Sequence, residues 1–173
     1  MLTDKVVTLR APEPADVDAM YLIENDTSLW NDGVTFAPLS HKQLWDYVDS
    51  YDGNIFASGQ LRFVIWSEPD DCVAGFIDLY DYDRINHRAY TGITVACSCR
   101  GKGIGSRALS LLCHYCRERL GMRQLAAVVR ADNTPSRVLF ERQGFSATGH
   151  FPAWIRRCDR WIDAILYQKS LDN

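Results

Sequence analysis

The feature that most constrains this chain is a glycine-rich basic turn between an apolar strand pattern and a long helix pattern. The turn runs Arg100-Gly101-Lys102-Gly103-Ile104-Gly105. Three glycines at alternate positions remove side chains, so several backbone N–H groups can converge on one small volume. The helix predicted to begin near Gly103 adds unpaired first-turn N–H groups and the positive end of its dipole. With the charges of Arg100, Lys102 and Arg107, the turn is predicted to bind a phosphate or pyrophosphate.

Two common nucleotide motifs do not match this turn. A phosphate-binding P-loop needs G-x-x-x-x-G-K-[ST], and no such string occurs in the chain. The dinucleotide fingerprint G-x-G-x-x-G would need a glycine where Ser106 stands. The predicted order of strands and helices also lacks repeated βαβ units, so both of these nucleotide-binding classes are disfavoured.

The charges of the chain are unevenly distributed along it. Residues 1–83 carry 16 Asp and Glu against 4 Lys and Arg, whereas residues 84–173 carry 6 acidic against 15 basic residues. This asymmetry suggests that the C-terminal half meets an anion and the N-terminal half a cation. The alternative, left open by charge alone, is that two solvated faces simply differ.

The bulk composition predicts one soluble domain over residues 1–173 in the cytoplasm. The N-terminus shows no basic region followed by an apolar run, and no apolar run is long enough to span a bilayer. Most of the six cysteines lie inside apolar elements, which favours a reducing compartment. Cys113-His114-Tyr115-Cys116 lies within a predicted helix and lacks a second ligand pair, so core packing is predicted rather than a metal site.

Hydrophobic periodicity predicts an α/β (α+β) fold with about seven strands and four helices. The order is a strand, two helices, three antiparallel strands, a long helix, a strand, a helix and a terminal hairpin. Strands are predicted at 5–10, 61–66, 72–80, 89–96 and 124–130 and twice within 145–170, and helices begin near 14–16, 40, 103 and 134. Helices after the fourth and fifth strands imply parallel neighbours in the middle of a mixed sheet. The glycine turn lies at the carboxyl end of the fourth strand, where such sheets bind ligands.

The glycine turn also matches R/Q-x-x-G-x-G/A, the coenzyme A pyrophosphate loop of the GNAT superfamily of N-acetyltransferases. The resemblance extends to Ala131-Asp132-Asn133-Thr134-Pro135-Ser136, to Glu141-Arg142-Gln143-Gly144-Phe145 and to the terminal hairpin, so it covers almost the whole chain. The sequence most resembles the branch that holds spermidine acetyltransferases and ribosomal-protein N-terminal acetyltransferases. The resemblance implies the GNAT fold, whose central sheet is splayed between strands four and five.

The resemblance implies that acetyl-CoA is the co-substrate and which residues bind it. Main-chain groups of Ile93, Thr94 and Val95 would hydrogen-bond the pantetheine arm in the splay. The amides of the loop would hold the pyrophosphate, and these belong to Arg100, Gly101, Lys102, Gly103, Ile104 and Gly105. Asn133 would fix the pantetheine end near the thioester, with Ser136 close by.

The proton donor is the part of the site at which this chain departs from the resemblance. Transfer in this superfamily is direct, so a proton must leave the amine and the departing thiolate needs a donor. Many relatives place a tyrosine on the helix after the fifth strand, where this chain has Phe140. Ser136 is the expected catalytic substitute, while the alternative is that it satisfies amides of the helix's first turn.

Acidic residues near the end of the third strand are the candidates for receiving the amine. Asp78 and Asp81 match glutamates of the spermidine-acetylating relatives and are the predicted catalytic carboxylates, while Tyr90 stands where those relatives have a further glutamate. Together with Asp83 these carboxylates would attract a cationic amine, although an exposed hairpin turn is the alternative. Trp30, Phe36 and Trp45 would line the acceptor pocket or pack in the core.

The leading hypothesis is an acetyl-CoA-dependent N-acetyltransferase that acts on a primary amine, with a polyamine or diamine favoured by the acidic N-terminal half. A protein N-terminal acetyltransferase is the alternative that Ser136 and the missing tyrosine favour. Phe140 also motivates a third hypothesis, a non-catalytic acyl-CoA-binding regulator. No nucleic acid, membrane or metal is expected as a partner, and a homo-oligomer is left open.

Overall fold

The computed structural model describes residues 2–30, 37–157 and 159–172 of the chain. These residues form a mixed sheet of eight strands with six α-helices. The strands are β1 (Leu2–Thr3), β2 (Val7–Arg10), β3 (Leu61–Ser67), β4 (Cys72–Asp83), β5 (Arg88–Val95), β6 (Gln124–Arg130), β7 (Ser146–Arg157) and β8 (Arg160–Ser170). The helices are α1 (Val17–Glu24), α2 (Thr27–Trp30), α3 (His41–Asp49), α4 (Ile55–Ser58), α5 (Ile104–Glu118) and α6 (Thr134–Arg142).

The sheet has the strand order β1-β2-β3-β4-β5-β6-β8-β7. Helix α5 packs on one face, where its Ala108 and Leu112 are fully buried in one cluster with Ile65 and Ile77 of the sheet. Its buried residues recur every three or four positions, which is the spacing that gives a helix one apolar side. The predicted long helix is therefore confirmed, with Gly103 as its N-cap.

Helices α1 and α3 cover the other face of the sheet. Met20 of α1 and Leu44 of α3 form a second buried cluster with Val64 of β3 and Phe76 of β4. The predicted start of α3 is confirmed, because the Ser40 side chain accepts a hydrogen bond from the amide of the third helical residue in a capping box.

The structure has one strand more than the sequence pattern predicts. The additional strand β1 is two residues long and pairs with Thr8 and Leu9 of β2. The chain can reverse between them because the Asp4 carboxylate accepts hydrogen bonds from the amides of Val6 and Val7, while Lys5 adopts a left-handed φ of 74°. A two-residue strand has no periodicity from which to predict it.

The two additional helices, α2 and α4, are single turns inside residues 25–39 and 51–60, for which the sequence pattern predicts loops. In α4 the Asn54 side chain accepts from the amide of Ala57, and Gly59 ends the turn with a left-handed φ of 72°. Such short turns depend on their caps rather than on an apolar period, which explains why the pattern of four longer helices misses them.

The central sheet splays between β5 and β6, as predicted for the fourth and fifth strands. These strands are parallel, and their pairing extends only from Arg88 opposite Gln124 to Tyr90 opposite Ala126. Beyond that point, among the strands that the structure describes, β5 pairs only with β4, and β6 pairs with β8. We call the opening between residues 91–95 and 127–130 the wedge. No helix in the described ranges has the length and hydropathy to cross a bilayer.

Candidate active site

The glycine turn forms an open cradle of backbone amides at the start of α5. Gly101 and Gly103 have left-handed φ values of 76° and 78°, which glycine adopts without a steric penalty. Among the described residues, no atom beyond the two chain neighbours lies within 4 Å of a Cβ placed at either position, so the space in front of these glycines is open. The N-cap Gly103 has no side chain to cap the first turn of α5, and among the described residues the amides of that turn therefore remain available to a ligand.

The first turn of α5 is fixed against the wedge by close packing at Gly105. A Cβ at Gly105 would lie 3.5 Å from Val95 Cγ2 and from Leu139 Cδ2, and 3.6 Å from Ile93 Cδ1. The amide cradle therefore sits directly on the end of β5 that lines the wedge. An anion in the cradle and a chain threaded into the wedge can consequently belong to one ligand.

The cations around the cradle are each held by a group of the protein itself. Lys102 Nζ lies 3.0 Å from an Asp70 carboxylate oxygen, and Arg107 Nη1 lies 2.7 Å from Asp4 Oδ2. The hydrogen bond with Lys102 lowers the pKa of Asp70, and the same bond raises the pKa of Lys102. Arg100 Nε donates to the Val95 carbonyl oxygen at 3.0 Å. An anion that enters the cradle must compete with Asp70 for Lys102.

The predicted pantetheine-binding residues lie at the wedge, where no strand in the described part of the chain pairs with one edge of their backbone. Ile93, Thr94 and Val95 are opposite Ile77, Phe76 and Gly75 of β4, while β6 has diverged on their other side.

At the apex of the wedge, Thr91 is 2% exposed, and its hydroxyl has no hydrogen-bond partner within the described ranges. A buried hydroxyl without a partner is unfavourable, so a polar ligand atom or water at the apex would stabilise it. The residues present therefore fit an acyl-CoA arm.

Asn133, rather than Thr134, caps helix α6. Its Oδ1 accepts from the amide of Ser136 at 3.2 Å, which makes Thr134 the first helical residue. The sequence Asn133-Thr134-Pro135 predicts Thr134 as the cap and Pro135 as the first helical residue, so the predicted start was wrong by one position. Because Asn133 caps the helix, the Ser136 hydroxyl is not needed for that role. This hydroxyl has no hydrogen-bond partner in the part of the chain that the structure describes. Its role as proton donor stays a prediction.

The structure places Phe140 in the core. Phe140 is 2% exposed and lies between Phe145, at 5.0 Å between ring centroids, and Tyr167, at 6.3 Å. The Tyr167 hydroxyl donates to Glu141 Oε1 at 2.8 Å and accepts from Arg137 Nε at 3.3 Å, so it is fixed within its own network. Phe140 therefore supplies no hydroxyl from this position of α6.

On the face of the sheet opposite α5, a partly buried guanidinium joins two carboxylates. Arg62 Nε lies 2.7 Å from Asp78 Oδ1, and Arg62 Nη1 lies 2.7 Å from Glu24 Oε1. Burial alone would lower the pKa of Arg62, but the two carboxylates outweigh it and raise that pKa. The rings of Tyr47 and Phe76 lie 5.8 Å and 5.3 Å from the guanidinium carbon. This cluster of Glu24, Arg62 and Asp78 has one more negative than positive charge.

Sequence reasoning missed Arg62 and Glu24. The signal for Arg62 was present, because a lone charged residue in an apolar strand must find a partner, and the hairpin register places Arg62 directly opposite Asp78. Glu24 could not be assigned, because its contact joins α1 to β3 across 38 residues of sequence.

The three predicted aspartates have different surroundings. Asp78 belongs to the cluster with Arg62, whereas Asp81 is exposed at an irregularity of β4, where its φ is 51°. Asp83 accepts from the amides of Ile85 and Asn86 and from the Asn86 side chain, and these hydrogen bonds lower its pKa. Asp83 therefore stabilises the hairpin turn, while catalytic roles for Asp78 and Asp81 stay predictions.

The aromatic candidates for the acceptor pocket are only partly described. Trp45 is 48% exposed, so it is not a core residue. Phe36 and the side chain of Trp30 lie outside the described residues.

Cys113 and Cys116 lie on the buried side of α5, where burial raises the pKa of both thiols. They pack as core residues, as predicted for this segment. Across the described ranges, no three His, Cys, Asp or Glu side chains are grouped in a way that could hold a metal ion.

Comparison with known proteins identifies the family. A model of the acetyltransferase (GNAT) domain matches residues 7–146. Spermidine N(1)-acetyltransferase of Escherichia coli is 26% identical over 143 residues, which span 83% of this chain and 74% of that protein. The L-methionine sulfoximine/L-methionine sulfone acetyltransferase of Pseudomonas aeruginosa is 25% identical over 177 residues, which span 95% of both chains.

Solved structures agree in fold. The crystal structure of spermidine N-acetyltransferase from Vibrio cholerae in complex with CoA and spermine has a TM-score of 0.86 at 20% identity, over 97% of both chains. Another structure of that enzyme is dodecameric. The predicted fold, enzyme class and co-substrate are confirmed. Because the family model covers most of the chain and the sheet splays beside a glycine loop, the protein belongs to the GNAT family of acetyltransferases, which use acetyl-CoA.

Proposed function

We propose that this enzyme transfers the acetyl group of acetyl-CoA to a primary amine of a small polycation, a polyamine or diamine. The observation that carries the proposal is the cluster of Glu24, Arg62 and Asp78 on the face of the sheet opposite α5. Its excess negative charge, together with exposed Asp81, favours a cationic acceptor over a neutral or anionic one. The Escherichia coli and Vibrio cholerae relatives are named for acetylating spermidine, which supports the same acceptor class.

The chain positions the thioester by holding both ends of a long ligand. Amides of residues 100–105 and the start of α5 would bind the pyrophosphate, and Lys102 would leave Asp70 to join them. The free backbone edge of residues 93–95 would pair with the amides of the pantetheine arm. Asn133 still has its Nδ2 group available to donate, because only Oδ1 serves as the helix cap. Fixing both reactants in the wedge supplies a large part of the rate enhancement.

Asp78 and Asp81 have different roles towards the amine. Both oxygens of Asp78 accept hydrogen bonds from Arg62, so Asp78 contributes charge that attracts and orients the cation. Asp81 is exposed and is the carboxylate left to accept the amine's proton, directly or through water. On the other side of the wedge, the Ser136 hydroxyl is free to donate a hydrogen bond to the thiolate as it forms.

A panel of acceptors tests the proposal. Thiol release from acetyl-CoA is measured with spermidine, with a diamine and with peptides that carry a free N-terminus. Turnover with spermidine or the diamine is the expected result. Turnover with peptides alone would overturn the proposal in favour of a protein N-terminal acetyltransferase, which the unpartnered Ser136 hydroxyl and Phe140 favour.

A homo-oligomer is the assembly that we propose for this chain. The dodecameric structure of the Vibrio cholerae relative supports it, and so do Trp154 and Trp161, which are both more than half exposed on the β7–β8 hairpin. Light scattering of the purified protein should give a mass that is a multiple of the chain mass, and a monomeric mass would contradict the proposal.

A further inference from the structure

Two tyrosines mark the point at which the sheet begins to splay. Tyr80 of β4 lies directly opposite Tyr90 of β5. Tyr90 in turn is opposite Ala126 of β6, the last parallel pair before the wedge opens. Alternate residues of a strand share a face, so Tyr80 lies on the same face as Asp78 and Phe76, the side opposite α5. The two rings are therefore at the apex of the wedge on the side proposed for the amine.

The hydroxyl end of Tyr80 reaches towards the open part of β5. Its Cε1 lies 3.7 Å from a Cβ built at Gly92, the first β5 residue on this face beyond the branch point. Cε1 is bonded to the carbon that carries the hydroxyl, so the hydroxyl end of the ring is the end that approaches Gly92. Stacking on Tyr90, at 5.7 Å and an interplanar angle of 20°, fixes the ring in this direction. Gly92 has no side chain that would fill the space beside it.

The Tyr80 hydroxyl has the properties of a hydrogen-bond donor that awaits a ligand. It has no hydrogen-bond partner among the residues that the structure describes, although most of the residue is buried. Burial, with the nearby Asp81, Tyr90 and Asp78, raises the pKa of Tyr80 to about 12. The group therefore stays protonated at neutral pH and can donate but does not ionise. Phe140 of α6 has no hydroxyl that could donate this hydrogen bond in place of Tyr80.

We propose that Tyr80 is a catalytic residue whose Oη–H donates a hydrogen bond to the sulfur of acetyl-CoA while the C–S bond breaks. The amine nitrogen forms its bond to the carbonyl carbon, and the electron pair of the C–S bond goes to sulfur. The proton that the amine loses reaches solvent through Asp81 and returns to sulfur, so that amine and thioester give amide and thiol. Tyr80 keeps its proton throughout and acts with Ser136 from opposite sides of the wedge. The inference rests on the proposed acetyl transfer but not on the identity of the amine.

Binding of CoA and of desulfo-CoA separates this role from a structural one. The two ligands differ only in the thiol, and a donor near sulfur should favour CoA increasingly as pH rises and the thiol ionises. Calorimetry at several pH values is expected to show this preference in the wild type and its reduction by about tenfold in Tyr80→Phe. Turnover should fall by about 10- to 100-fold in Tyr80→Phe with little change in the KM for acetyl-CoA. Tyr115→Phe, on the far side of the sheet, is the matched control.

Three results would overturn the inference. The first is an unchanged preference for CoA over desulfo-CoA in Tyr80→Phe. The second is the same loss in the Tyr115→Phe control, and the third is a loss in Tyr90→Phe but not in Tyr80→Phe. Because the binding comparison needs no acceptor, it tests Tyr80 even if the wild type acetylates peptides and the polyamine proposal fails.

Discussion

At the scale of single residues, the pyrophosphate cradle depends on backbone amides that no side chain obstructs. Gly101 and Gly103 hold left-handed conformations in open space, and the amides of α5 begin immediately after them. The charged side chains nearby are secondary, since each already has a partner in the protein. Binding of CoA should therefore be most sensitive to changes at the glycines.

Gly103→Asp is expected to raise the Kd for CoA by about 30-fold or more, because a carboxylate there obstructs the amides and repels the pyrophosphate. Gly59→Asp is the matched control, because Gly59 has a similar φ of 72° and an equally open environment away from the cradle. Calorimetry with CoA measures both. Unchanged affinity in Gly103→Asp, or an equal loss in Gly59→Asp, would contradict an amide cradle at this turn.

Ser136→Ala is expected to lower kcat by about tenfold while the Kd for CoA changes little, because its hydroxyl is proposed to serve the thiolate. The helix should remain intact, since Asn133 supplies the cap. Steady-state kinetics, together with the melting temperature, give the comparison. An unaltered kcat would assign Ser136 to the helix surface alone.

Asp70→Asn is expected to tighten CoA binding by about two- to fivefold, because it frees Lys102 from the competing carboxylate. Asp71→Asn removes the same charge from the adjacent residue and is the matched control for long-range electrostatics. The effect should decrease at high salt, where exposed charges are screened. Weaker binding in Asp70→Asn would show that Asp70 positions Lys102 for the ligand instead of competing for it.

At the scale of elements, the wedge exists because β5 is held firmly on one side only. Gly75 allows β4 to approach β5 so closely that a Cβ there would lie 2.0 Å from the Thr94 carbonyl oxygen. The amide of Ala96 donates to the Ala74 carbonyl oxygen at 2.8 Å, which extends the same contact. A rigid β4–β5 pair keeps the free edge of residues 93–95 in place while β6 diverges.

Gly75→Ala is expected to lower the free energy of unfolding by about 3 kcal/mol, because the added methyl group overlaps the backbone of Thr94. Gly92→Ala is the control on the neighbouring strand, where a Cβ would make only an ordinary 3.7 Å contact with Tyr80. Chemical denaturation measures the difference. Equal stability of the two variants would mean that β4 and β5 adjust freely at Gly75.

The elements that could be predicted from the sequence are those with a long apolar period or a strong cap. Helix α5, strand β6 and the start of α3 at Ser40 belong to this group. Strand β1 and the single turns α2 and α4 could not be predicted, because their stability comes from caps and pairing over two to four residues. The cradle was predictable because its three glycines lie at alternate positions within one six-residue segment of the sequence. Tyr80 became a candidate only once the register placed it opposite Tyr90 and its ring was found to lie beside Gly92.

At the scale of the whole molecule, the uneven charge of the sequence has two roles. Some of these charges pair with each other within the protein. Asp4 of the acidic half pairs with Arg107 of the basic half, and Asp70 pairs with Lys102. The rest is consistent with a ligand that is anionic at the cradle and an acceptor that is cationic on the opposite face. The sequence alone could not separate these roles, because pairing between halves depends on the fold.

The most direct test of an acceptor site for a polycation compares two amines with the same four-carbon chain that differ in one charge. Putrescine and n-butylamine present the same primary amine, but only putrescine carries a second cationic group. We expect kcat/KM, measured by thiol release from acetyl-CoA, to be about tenfold or more higher for putrescine, and high salt to reduce the difference. Equal kcat/KM for the two amines would contradict a site built for a polycation.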